Sequence, residues 1–285
     1  MLTAAAAQAQ AQASAPTPAA PPPADAAARV ISEARAAMGG EAKLTAMKTF
    51  VVTGRTRQVR GDNLVPIEFE IQAELPDRYS RRDEITVQDT GPTTNGFNGD
   101  RLVQIPAPPP PPARPGGPPP PTPEQAAAAA RVRVVAVKQD FARLMLGLFA
   151  ATTPAFPVTF AYVGQAEAPQ GRAEVVDAKG PGDFAARVFI DAKTHLPIML
   201  SWQARPAPAP GRGRPGGPPP AGAPPPGPPP SVENRLYFAE YRAFDGLQLP
   251  TRVRRAVAGE TTEETTFDRF RINARVDPRR FDPGN

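Results

Sequence analysis

The chain has 285 residues, 41 of them proline, with no cysteine, one histidine and a formal net charge of +5. The absence of cysteine excludes disulfides, thiolate nucleophiles and Cys-ligated metals, and a lone His195 makes a His-based metal site untenable. No apolar run approaches the ~18–20 residues that span a bilayer, and the positive balance favours anionic surfaces such as phospholipid headgroups or acidic polymers.

Most prolines fall in three blocks, Pro16–Pro23, Pro106–Pro123 and Pro206–Pro230. Setting these aside leaves roughly 210 residues, enough for one all-β domain with a full core. The N-terminus, Met1-Leu2-Thr3 followed by Ala4–Ala7, reads as the end of an apolar signal segment or, alternatively, as a merely low-complexity Ala/Gln tail. Ala11-Gln12-Ala13 fits an A-x-A cleavage site, although the basic leader is missing. The expected organisation is a signal-like Pro-Ala tail over 1–24 and a single domain over 25–282. Disordered Pro-rich insertions are expected at 106–122 and 205–231.

In chain order, Asp25 is placed to cap a helix over Ala26–Met38, with Val30, Ile31, Ala34, Ala37 and Met38 on one face. Gly39-Gly40 ends it, because glycine takes the left-handed conformation freely. Glu41–Met47 reads as a further short helical turn. Strands follow at Thr49–Arg60, Leu64–Leu75 and Arg78–Gln88. Leu64–Leu75 has the clearest pattern, with Ile67, Phe69, Ile71, Ala73 and Leu75 alternating with Glu68, Glu70, Gln72 and Glu74. Period two puts one set on a dry face and the other on a wet face, as in an antiparallel sheet. Asn95–Asp100 carries a hairpin signal before a strand at Arg101–Ile105.

A second helix is predicted over Pro123–Phe149, capped by Thr122 with proline at its first position. Val134, Val137, Phe141, Leu144, Met145 and Leu148 form an apolar stripe at helical spacing. Further strands are predicted at Val158–Val163, Arg172–Ala178, Phe184–Ala192, Ile198–Ala204, Val232–Phe244, Leu247–Val257 and Glu260–Ile272. Asp245-Gly246 supplies a hairpin turn, and Asp277–Phe281 is a short tail able to lie on the sheet. About eleven strands cannot stay flat. Their apolar face needs a cover, and the two helices are the covers available. The fold expected is mainly β: a curved antiparallel sheet forming an open, unclosed barrel, covered by the N-terminal helix and a mid-chain helical lid.

Several stretches carry a more specific resemblance. Val30–Phe50 (VISEARAAMGGEAKLTAMKTF) runs helix, double glycine, short helix, strand. Leu75-Pro-Asp-Arg-Tyr79 matches an "L-P-D-x-[FY]" strand start, and Asn95–Asp100 a "Y-D-G" hairpin. Ile190–Pro197 matches "D-x-x-T-G-L-P", with His195 where the pattern has glycine. Tyr241–Pro250 (YRAFDGLQLP) matches "Y-x-x-V-D-G-x-x-L-P", and Arg271–Phe281 a closing "N-x-x-x-D-x-x-x-F". In these features the chain resembles the LolA/LolB-like superfamily of periplasmic lipoprotein carriers and sorting proteins. The resemblance implies an unclosed barrel with a helical lid, an acyl-chain cavity and a periplasmic or secreted location. The two proline insertions depart from it.

Candidate cavity residues are Ile67, Phe69 and Ile71 on the alternating strand, Val137, Phe141, Leu144 and Leu148 on the helix, and Trp202. Each reads equally as plain core. Glu68, Glu70 and Glu74 read as a solvated face opposed by Arg78, Arg81 and Arg82. Arg252, Arg254 and Arg255 form a basic patch that suits anionic headgroups or is simply surface charge. His195 reads as a turn residue without a nucleophile partner. Gly211–Gly217 (GRGRPGG) has no helix after it to bind phosphate and no interleaved aromatics for nucleic acid.

The sequence therefore points to a non-enzymatic cell-envelope carrier or binding protein for lipoprotein acyl chains or another apolar ligand. No cofactor, metal or nucleic acid is expected, and an anionic membrane surface is a further candidate partner. The alternative is a scaffold acting through the Pro-rich loops or a basic surface. A hydrolase has no motif behind it.

Overall fold

Alternation along Asn63–Glu74 (β2) sets the sheet's two faces: Val65, Ile67, Phe69, Ile71 and Ala73 are buried while Pro66, Glu68 and Asn63 are exposed. The computed structural model describes residues 25–88, 91–107, 121–168, 171–205 and 230–282. The signal-like tail, the greater part of both proline insertions and Gly211–Gly217 lie outside them.

Among the described residues, twelve strands form one sheet. The first five are β1 (Thr49–Arg60), β2, β3 (Arg78–Glu84), β4 (Thr93–Asn98) and β5 (Arg101–Ile105). The other seven are β6 (Thr159–Ala168), β7 (Gly171–Gly180), β8 (Phe184–Asp191), β9 (Pro197–Ala204), β10 (Val232–Phe244), β11 (Leu247–Val257) and β12 (Glu260–Ile272). Both runs are simple meanders, and β1 pairs with β12 to join them. Every neighbouring pair is antiparallel. β5 and β6 are the two edges and do not meet, so the sheet stays open as expected.

Register shifts in the β1–β12, β11–β12, β6–β7 and β8–β9 pairs bend it. At the first of these, a side chain on Gly54 would sit 2.7 Å from Phe69 Cζ, so the bulge needs glycine there. The shift between Tyr162 and Gly164 explains why β6 runs past the boundary expected at Val163. The unpredicted strand, β4, was hidden by its composition (Asn95, Gly96). Its glycine lies against Ser80 Cα, where a side chain would come to 2.8 Å. The third strand stops at Glu84 rather than Gln88, since its partner β4 pairs no further than Asp83.

Helix α1 (Ala26–Ala37) buries Val30, Ile31 and Ala34 and packs on β6 and β7. Asp25 precedes it but makes no side-chain capping bond. Short α2 (Glu41–Ala46) buries Leu44. Helix α3 (Pro123–Phe149) begins with a full capping box: Thr122 Oγ1 accepts from the Gln125 N–H, and the Gln125 side chain accepts from the Thr122 N–H. Most of its first three turns is exposed. Its last two turns are buried on almost every side, Phe141–Phe149 apart from Leu144. α3 contacts β4 and β5 on one side and β8 and β9 on the other, so it spans the gap the open sheet leaves.

The core follows from this arrangement. Phe141 stands in an aromatic group with Tyr79 (4.5 Å between centroids), Phe97 (5.5 Å) and Phe50 (6.4 Å). Gly147 passes directly over the Phe238 ring. A final short 3-10 turn, Pro278–Phe281, lies on the outer face of the sheet. There Arg280 reaches Glu70 (3.3 Å) and Asn98 donates to the Phe281 carbonyl (3.3 Å).

Candidate ligand cavity

Between the inner face of the sheet and α3 lies a cavity of about 250 Å³. Its apolar wall is made by Ile71, Leu144, Leu236, Val253 and Phe267. Its other wall is charged: Arg81, Asp83, Arg143, Arg255 and Glu263 all face it. The hollow under the lid is therefore amphipathic rather than wholly greasy.

The predicted residues divide among three environments. Ile71, Val137, Leu144 and Trp202 line the cavity. Phe69, Phe141 and Leu148 belong to the packed core and do not line it. Ile67 is buried on the same face of β2 as Phe69, but lies outside the main core cluster.

The charged wall results from strand parity. Arg81 pairs with Ile71, so it points inward and is not part of the outer ladder with Arg78 and Arg82. Its guanidinium stacks 4.6 Å from the Phe69 centroid and its Nε donates to Asp83 (2.8 Å). Burial acts to lower its pKa, and Asp83 more than offsets this. Glu70 and Glu74 do face Arg82 and Arg78, with Glu74 and Arg78 paired at 3.1 Å. The basic patch is likewise split: Arg254 lies over Tyr237 (4.1 Å), whereas Arg255 lines the cavity.

The most unusual group is Arg143, on the buried part of α3 and only 9% exposed. Its guanidinium lies 4.6 Å from the Trp202 ring centroid and 5.1 Å from that of Phe184. Nη1 donates to Asp140 (2.9 Å), one turn back, while Nε is buried with no hydrogen-bond partner. Burial lowers its pKa below the usual arginine value, and Arg255 adds to that, against the pull of Asp140. Arg255 sits over the same tryptophan at 5.6 Å. Trp202, the sole tryptophan of the chain, is thus approached by two guanidiniums, one from α3 and one from β11.

Sequence reasoning did not single out Arg143, because it followed only the apolar stripe of this helix. The signal was present: within Phe141–Phe149 it is the one charge in an otherwise apolar run. Tyr79, buried beside Phe141, has its pKa raised by burial and serves the core. No group of three or more His, Asp or Glu side chains able to hold a metal exists among the described residues. No helix there is long and apolar enough to cross a membrane.

An open antiparallel barrel with a helix drawn into its mouth is the class of architecture these observations define. The same arrangement is found in a LolA superfamily protein from Nitrosomonas europaea, with a TM-score of 0.51 and 9% identity, covering 90% of this chain and 97% of that one. An outer membrane lipoprotein-sorting protein domain from Vibrio parahaemolyticus aligns over 89% of this chain and 95% of its own, with a TM-score of 0.47 and 7% identity. A DUF1329 family protein from Desulfovibrio piger aligns over 90% and 97%, with a TM-score of 0.48 and 7% identity. No protein-family model and no curated protein sequence matches the chain. At these identities the likeness is one of fold alone, the open antiparallel sheet shared with the Nitrosomonas protein.

Proposed function

We propose that the protein is a non-enzymatic carrier or binding protein of the cell envelope, periplasmic or secreted, whose ligand is an acyl chain or another apolar molecule. One observation carries the reading: the last turns of α3 fill the mouth of an open sheet, and a cavity already lies beside them.

About 250 Å³ is below the range of roughly 300–1,000 Å³ of ordinary ligand pockets. A long acyl chain therefore enters only where helix side chains leave. The exchange is energetically plausible. Each buried methylene is worth ~0.8 kcal/mol, so a chain of about ten offsets the loss of two or three core side chains at ~1.5–3 kcal/mol each. Phe141, Met145 and Leu148 are such side chains. The ligand shifts the lid equilibrium by its greater affinity for the open state.

Native mass spectrometry of the purified protein, with solvent extraction of bound lipid and titration with a fluorescent fatty acid, tests this. Co-purifying lipid or saturable binding supports the reading. A protein that always emerges empty and never takes the fatty acid contradicts it.

A further inference from the structure

We propose that Arg143 and Arg255, both held against the Trp202 ring in one cavity wall, receive the anionic head of an amphiphilic ligand, a carboxylate or phosphate monoester, whose tail lies under α3. This rests on the carrier reading and deepens it from an apolar ligand to an acidic amphiphile.

The argument begins with an unsatisfied donor. Arg143 Nε is buried without an acceptor on a side chain that lines the cavity, and a buried unpaired donor is costly unless something completes it. Asp140 occupies Nη1 alone, and although it also lines the cavity its side chain is 68% exposed, at the solvent end of it. The second cation lies against the same indole. Arg255 makes no ion pair among the described residues, and its Nη2 reaches only the Asn234 amide oxygen at 3.4 Å. Two guanidiniums against one ring repel each other, and this adds a smaller share, after burial, to the depression of the Arg143 pKa. An anion between them removes the repulsion and supplies the missing acceptor.

The lining has three acids, and none forms an ion pair with Arg255. Asp83 is engaged by Arg81, and Glu263, opposite Arg255 in the strand register, accepts from Thr265 (3.3 Å). The guanidinium fork suits a carboxylate or phosphate oxygen pair. Position suits an amphiphile: the aliphatic wall of Ile71, Leu144 and Leu236 begins beside the charged one. One arginine is on the lid and the other on the sheet, so the head bridges the two parts that the tail separates.

The test uses the full chain and three twelve-carbon probes, dodecanoate, dodecyl phosphate and dodecanol, with affinities from calorimetry and location from Trp202 emission. The expected result is that both acids bind at least about tenfold tighter than the alcohol, the scale of one lost charge-assisted hydrogen bond. Arg143→Gln and Arg255→Gln each remove most of that preference, read as the ratio of acid to alcohol affinity on the same variant, while Arg143→Lys retains part of it. Arg255 is only partly buried, so its variant carries the test if Arg143→Gln fails to fold. Equal binding of acid and alcohol, or a preference that survives both substitutions, overturns the head site and leaves the carrier reading standing. Failure of all three probes to bind overturns both. Inorganic phosphate that displaces dodecyl phosphate at comparable concentration identifies a free-anion site and overturns the amphiphile.

Discussion

Gly147 is the point at which α3 presses hardest on the sheet, and adding one methyl group there measures that pressure. A Cβ at this position would lie 2.8 Å from Phe238 Cε2 and closer still to Cζ and Cε1. Phe238 is 4% exposed and cannot swing out, and Phe141 pins the helix two turns earlier in the aromatic group with Tyr79 and Phe97. Gly147→Ala gains about 0.8–1 kcal/mol of helix propensity and costs about 1–3 kcal/mol of overpacking. The net is a destabilisation near 1 kcal/mol. In a Phe238→Leu background the ring atoms are gone, and the same substitution should stabilise by up to about 1 kcal/mol. The sign reverses, with a coupling near 2 kcal/mol that a double-mutant cycle isolates from the cost of Phe238→Leu itself. Urea unfolding midpoints at constant m-value provide the measurement. If Gly147→Ala stabilises the parent as much as the Phe238→Leu protein, α3 does not rest on β10 and the lid geometry is wrong.

Two further outcomes follow from the β8–β9 turn. His195 holds φ at +58°, where a side chain costs about 1–2 kcal/mol, and its 3.6 Å approach to Glu33 is a surface pair worth little. His195→Gly should raise stability by a few tenths to about 1 kcal/mol in thermal melts, after the entropy of the added glycine is subtracted; a loss would refute the strain. Burial acts to raise the Asp191 pKa, but the Thr194 N–H and hydroxyl and the Lys193 N–H, at 2.6–3.0 Å, outweigh it, so the folded-state pKa is depressed. A depressed carboxylate stabilises above its unfolded pKa of about 3.9 and loses that contribution as pH falls through the folded value. Asp191→Asn should therefore cost about 1 kcal/mol at neutral pH and progressively less below about pH 4. A pH-independent difference would contradict this assignment.

How far the sequence reached depended on what each pattern encodes. Period two in β2 and helical spacing in α3 are local signals, and both elements formed within a residue or two of the expected bounds. Turns with a conformational requirement were equally legible: Asp245-Gly246, and Gly39-Gly40 at φ +128° and +93°. β4 was not, since Gly96 reads as turn when its real role is to let Ser80 approach. The lining of the cavity was legible in part: alternation identifies which residues share a face, and Ile71 and Trp202 stand in its wall. Arg81 and Arg255 obey the same parity, yet were assigned to a surface because arginine is usually outside. Arg143 required the tertiary fact that the end of α3 lies inside the sheet.

The central claim is that α3 must move for ligand to enter, and a chain without cysteine allows a direct test. A Cβ at Gly182, in the β7–β8 turn, would lie 2.8 Å from Val135 Cγ1 of α3, close enough for a Val135→Cys, Gly182→Cys pair to bridge. Fatty-acid binding is then measured on one preparation, oxidised and reduced. The account predicts binding in the reduced protein and its loss when the bridge ties the helix to the sheet. Equal binding in both states would mean that α3 is a fixed part of the wall, and that whatever the cavity admits enters without it.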